Sequence, residues 1–234
     1  FLPHARSVLA EVETARLATR ANAGDVYGRV SIGFSGVLNH LSLPPLTRAV
    51  RQRHPGIALE LVGRVMTRDA VEQLDSGRLD VAFIGLPADS VVIRTRAIWR
   101  ERLGVVLAGD HPFAGRDSLP ITDLRDQPFI TTPLSSGSAL QESAPRACVD
   151  AGFRPNVVQE ITDPFMILTL VAAGVGVSLI SDGVARVMPS GSVFVPLAGP
   201  PIQLDHALAW AADNPSPVLR AVLAVAEEVM PTPA

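Results

Sequence analysis

The chain has 234 residues, 47% of them hydrophobic, a formal net charge of -3 and a pI near 6.0. It can therefore bury the core of one or two domains, and it lacks the basic face that supplies nonspecific affinity for nucleic acid. All 20 cations are arginine, which excludes a P-loop lysine, a pyridoxal-phosphate Schiff base and a lysine nucleophile.

Residues 5 to 23 contain no Gly or Pro, and Val8, Leu9, Val12 and Ala15 fall at helical spacing, so a connector or dimerisation helix is expected ahead of the first strand. In that strand Val30, Ile32 and Phe34 alternate with Ser31 and Gly33, and the pattern stops at Ser35-Gly36. Two readings of that stop stay open. Ser35 and Gly36 either turn the chain, or they join the free N–H groups at the following helix entrance in a site for an anionic or carbonyl oxygen.

That helix runs from about Leu43 to His54, with Pro44 and Pro45 in its first turn, and the next strand is IALELV. Thr67 is placed to cap a helix TRDAVEQLDS, and LDVAFIG follows as a nearly continuous apolar strand. Strand, helix, strand, helix, strand with short links predicts a parallel sheet covered on both faces.

A long β-rich stretch, IRTRAIWRERLGVVLA, leads through the turn GDHPFAG into a second such unit. Its parts are a short helix at Ile121 to Leu124, the strand PFIT, the loop TPLSSG, a helix from Ser138 to about Ala151, the strand NVVQEI, a helix opened by Asp163-Pro164 and the strand GVSLI. The uncharged run from Pro164 to Ser181 is cut by Gly174 and Gly176, so it reads as a buried helix and strand and not as a membrane span. VFVPL, the Pro-rich seam AGPPI, the strand HALAWA and an amphipathic helix from Pro217 to Met230 close the chain. The strand before Thr132 ends as the one before Ser35 does, in hydroxyl side chains at a helix entrance. Two such mouths, on two βαβ lobes joined by strands near residues 101 to 104 and 197 to 203, are expected to face one another.

GRVSIGFSG, LPPLTRAVRQRHPGIALELV, GRLDVAF, ERLGVVLAGDHPFA and VAAGVGVSLIS, taken together and in this order, resemble the effector-binding part of the LysR-type transcriptional regulators. The resemblance implies an α/β, two-lobed, type-2 periplasmic-binding-protein-like fold, each lobe a mostly parallel sheet flanked by helices. Residues 1–23 would end a linker helix, 24–101 with 199–234 would form lobe I, and 102–198 lobe II. It also implies a small-molecule effector between the lobes, a homodimer or higher homo-oligomer, and contact with DNA only through a winged helix-turn-helix absent from this chain. By position, Ser35, Gly36 and Thr67 would bind the effector from lobe I, and Thr132 and Pro133 from lobe II. Gly85 stands where some dicarboxylate sensors of the family carry an arginine. Arg64 or Arg68 either replaces it or is a solvated charge.

A solute-binding receptor for transport would share this architecture and is the alternative. A catalytic triad of Ser35, His40 and Asp80 can be named, but no nucleophile-elbow spacing supports it, and no enzymatic activity is expected. The single Cys148 excludes an internal disulfide, reads as a small buried hydrophobe, and with scattered histidines offers no zinc-ligand spacing, so no metal or other cofactor is expected. No secretory signal or membrane segment is visible, and a reducing, cytoplasmic location is expected. His111 reads as a turn residue, His206 as a satisfied strand histidine, and Trp99 and Trp210 as packing residues.

Overall fold

The computed structural model describes residue 12 and residues 26–35, 41–88, 90–133 and 139–233. Apart from Val12, which is helical and exposed, the expected helix over residues 5–23 lies outside the described residues, as do Gly36 and His40.

Nine strands and five α-helices follow the order read from the sequence: β1 Gly28–Gly33, α1 Leu43–Arg53, β2 Ile57–Val62, α2 Thr67–Asp75, β3 Val81–Gly85 and β4 Ile93–Ala108, then β5 Pro128–Thr131, α3 Ala139–Asp150, β6 Asn156–Glu160, α4 Pro164–Ala172, β7 Ser178–Ser181, β8 Ser192–Pro196, β9 Gln203–Ala211 and α5 Pro217–Val229. These counts cover the described residues. The apolar run from Pro164 to Ser181 is indeed a helix and a strand, with Asp163 capping α4 by accepting from Phe165 and Met166 N–H. No helix among the described residues is long and apolar enough to cross a membrane.

β1 pairs in parallel with β2 on one side and β3 on the other, and β9 then runs antiparallel between β3 and β4. The second unit repeats this order. β5 pairs in parallel with β6 and, through a single bridge from Phe129 to Val177, with the residue just before β7, which runs antiparallel to β4. In each unit the first strand lies between the second and third, so the chain leaves it toward one side and returns on the other. That is a topological switch point, where the carboxyl ends of neighbouring strands open a crevice.

β4 belongs to both units. Its first half pairs with β9 as far as Arg102, and from Leu103 it pairs with β7 on one edge and, from Gly104, with β8 on the other. Only one of the two expected strand crossings is therefore a strand, because the return over residues 197–202 is the Pro-rich seam, attached where Leu103 N–H donates to Ile202 C=O at 2.9 Å. Proline cannot donate to a ladder, and this composition keeps the seam out of the sheet.

Val30, Ile32, Leu46, Val50, Leu208 and Val222 are buried together between α1, α5 and the first sheet. A separate cluster in the second unit holds Leu103, Val105, Leu124, Phe129, Cys148 and Val177. The apolar faces of the helices are buried at i, i+3 and i+4 spacing, as Val218, Leu219, Val222, Val225 and Ala226 on α5 show.

Candidate functional site

The corner beyond β1 is built by backbone hydrogen bonds that cross between the end of β1 and the chain leaving β2. Phe34 N–H donates to Val62 C=O at 3.0 Å and Val65 N–H donates to Phe34 C=O at 3.0 Å, so the chain leaving β2 wraps around the residue before Ser35. A Cβ at Gly33 would stand 2.5 Å from Leu79 Cδ1 and 3.2 Å from Val65 Cγ1, so a larger residue here would force the Leu79 side chain to shift. Within the wrap, the exposed Arg64 adopts φ 63, a left-handed conformation that is strained for a side chain of its kind.

Thr67 does not cap α2, as its sequence position suggested. The cap position is Met66, and Thr67 is the first helical residue. Its Oγ1 accepts from Gly85 N–H at 3.1 Å, fastening the carboxyl end of β3 to the start of α2. Ser35, Arg64, Thr67 and Gly85 therefore belong to one corner of the molecule, with Arg68 exposed on the first turn of α2.

The entrance of α1 supplies fewer donors than expected. Pro44 and Pro45 have no N–H, and Leu46 N–H is taken by Ser42 C=O at 3.3 Å.

Beside Gly85 runs the strand crossing, where His206 of β9 pairs with Gly85 on one side and Trp99 of β4 on the other. A β-bulge between Ala97 and Trp99 resets the alternation of β4, which places Glu101 diagonally across from His206. Glu101 is 1% exposed and its Oε2 lies 3.0 Å from His206 Nε2. His206 is the satisfied strand histidine that was expected, whereas Trp99 is 39% exposed and only Trp210 packs against the core. Sequence periodicity missed Glu101, since an Arg-rich strand gives no sign of which charge a bulge turns inward.

In the second unit, Thr132 and Pro133 follow β5 and are half-buried, and residues 134–138 lie outside the described residues. Thr131 pairs with Glu160, and Ile161 N–H donates to Thr131 C=O at 2.9 Å, which sets the start of α4 beside this strand end. Phe165 and Met166 on that first turn are 53% and 48% exposed. Two apolar side chains left in solvent next to a switch point were not singled out from the sequence; the signal was their position directly after a helix cap. Thr132 also edges a crevice of about 160 Å³ between α3 and the β5–β6 pair.

Asp80 is not available to a triad. Its Oδ2 accepts from both the N–H and the hydroxyl of Ser31, each at 2.7 Å. Cys148 is fully buried, and burial pushes its thiol up to about 11, as befits a core residue. His111 sits in a turn, where its Nδ1 accepts from Phe113 N–H at 3.2 Å. Among the described residues no group of three His, Cys, Asp or Glu side chains could hold a metal ion.

Two parallel α/β units, each with its first strand at a switch point and joined through antiparallel crossing strands, define a ligand-binding domain of the periplasmic-binding-protein-like type. The chain belongs to the LysR substrate binding domain family, whose model matches residues 23–231. It is 44% identical over 210 residues to the HTH-type transcriptional regulator ShiR of Corynebacterium glutamicum (strain R), covering 90% of this chain and 71% of that protein. The effector-binding domain of BenM, solved with its effector benzoate, superposes with a TM-score of 0.76 at 26% identity, covering 86% of this chain and 91% of that one. The effector-binding domain of QuiR in complex with shikimate shares the fold, with a TM-score of 0.76 at 19% identity over 86% of this chain and 95% of that one. These relatives are regulators, which sets the transport-receptor alternative aside.

Proposed function

We propose that this chain is the sensing domain of a cytoplasmic transcriptional regulator and that it binds a small carboxylate between the two switch points. We divide the chain into residues 24–101 with 199–234 as one lobe and 102–198 as the other, a division supported by the change of β4 partners close by, after Arg102. The observation that carries the reading is the matched placement of Ser35 after β1 and Thr132 after β5, each on a first strand flanked by parallel neighbours on both sides. BenM, which shares the fold, binds a carboxylate of this size, and that supports the ligand class.

The charges orient the ligand. Arg64 stands on the Ser35 side, whereas Glu160 opposes Thr131 on the other. The carboxylate accordingly goes to Ser35, Gly36 and Arg64, and the body of the ligand lies toward Thr132, Pro133 and the exposed Phe165. Having accepted from Gly85, the Thr67 hydroxyl keeps its proton to donate to the same carboxylate. The chain performs no turnover, and occupancy is relayed to a DNA-binding domain outside it through a homodimer.

A thermal-shift panel pairing each small carboxylate with its primary amide tests the ligand class. A ligand at 100 times its dissociation constant adds about 2.7 kcal/mol of stability. Carboxylates are expected to raise the melting temperature where their amides do not; equal shifts from acid and amide would overturn the anionic reading.

A further inference from the structure

Apart from the switch points, the crevice in the second unit has the features of a site in its own right. Two local irregularities face each other across it. Pro145 interrupts the hydrogen bonding inside α3, and on the opposite wall the β5–β6 register slips between Phe129 and Ile130, leaving Val158 as an extra residue. Both lie on its lining, and the buried side chains of Phe129, Cys148 and Leu179 form its floor. The resulting volume, about 160 Å³, matches the ~150 Å³ apolar cavity that is known to take up a benzene ring. At the rim stands one charged side chain, Glu160, which is exposed.

We propose that this crevice is a second ligand site, for a single-ring aromatic amine whose ring enters the floor and whose ammonium meets Glu160. An anion is disfavoured by the same carboxylate, so the site selects against the ligand class assigned to the switch points. Because Thr132 edges both spaces, an occupant of the crevice touches the residue that also faces the effector.

Methyl NMR of the whole chain with benzylamine, and with benzoate as the anionic counterpart, tests the proposal. Benzylamine is expected to shift the Val157 and Leu179 methyl signals, which line the crevice, and benzoate to leave them in place. Ala144→Leu, which fills the crevice, is expected to abolish the benzylamine shifts. Glu160→Gln, an exposed change that leaves packing intact, is expected to weaken benzylamine about threefold. The proposal is overturned if millimolar benzylamine moves neither signal, if benzoate moves them equally, or if Glu160→Gln leaves the benzylamine affinity unchanged. The carboxylate-against-amide thermal shifts do not depend on this crevice, so either proposal can fail without the other.

Discussion

His206 Nε2 lies 3.0 Å from the Oε2 of Glu101, a carboxylate with 1% exposure at the point where β4 leaves one unit for the other. A buried carboxylate needs a partner, and this one is supplied from the neighbouring strand of the same crossing. His206→Ala should therefore cost about 1 to 3 kcal/mol in urea unfolding, since it strands the acceptor. The double change His206→Ala with Glu101→Leu should recover part of that loss, because leucine in place of the glutamate leaves no buried carboxylate without a partner. A double variant less stable than His206→Ala alone would mean that the carboxylate has other support.

Arg64 is held at φ 63 in the wrap around Phe34. Left-handed backbone costs a residue with a side chain about 1 kcal/mol or more, and glycine escapes most of that cost. Arg64→Gly should thus raise the unfolding midpoint while weakening carboxylate binding. Gain of stability with full affinity would show that Arg64 is only a solvated charge.

Burial pushes the Cys148 thiol up to about 11, whereas an unfolded cysteine ionises near ~8.5. The folded chain keeps its proton in the interval where the unfolded chain gives it up. The contribution of this group to stability is therefore complete below about pH 8.5 and is lost as pH rises toward 11. Urea midpoints at pH 8 and pH 10.5 should fall further apart for the native chain than for Cys148→Ala. Identical pH dependence in both would show that the thiol is open to solvent.

The exposed sides of α1 and α3 differ in charge: the first carries Arg48, Arg51 and Arg53, the last paired with Glu228, and the second carries Glu142 and Asp150 with Arg146 beside Asp150. Two copies related by a two-fold axis can pair α1 with α3 twice. Sedimentation at tens of micromolar is expected to show a dimer that weakens with added salt. A monomer at that concentration would place the oligomer contacts outside this chain.

Much of the fold was legible in the sequence because buried strands and amphipathic helices carry their own periods. β4, for example, was read at its full length from IRTRAIWRERLGVVLA. The site was legible only in part. Strand ends at Ser35 and Thr132 are local features, but the Thr67 hydroxyl goes to Gly85, 18 residues away, and a capping rule looks only three residues ahead. The donor count at α1 was in fact readable, since Pro44 and Pro45 announce the missing N–H groups. Glu101 and His206 stand 105 positions apart and meet through a bulge, which no spacing rule in one sequence reveals.

Calorimetric titration tests the central claim most directly, using the carboxylate with the largest thermal shift in a panel that begins with benzoate. It is run against the native chain, Ser35→Ala and Thr132→Ala. Loss of one neutral hydrogen bond costs about 0.5 to 1.5 kcal/mol, so each variant should bind roughly two- to twelvefold more weakly while remaining folded. Native affinity in both variants would contradict a site between the two switch points.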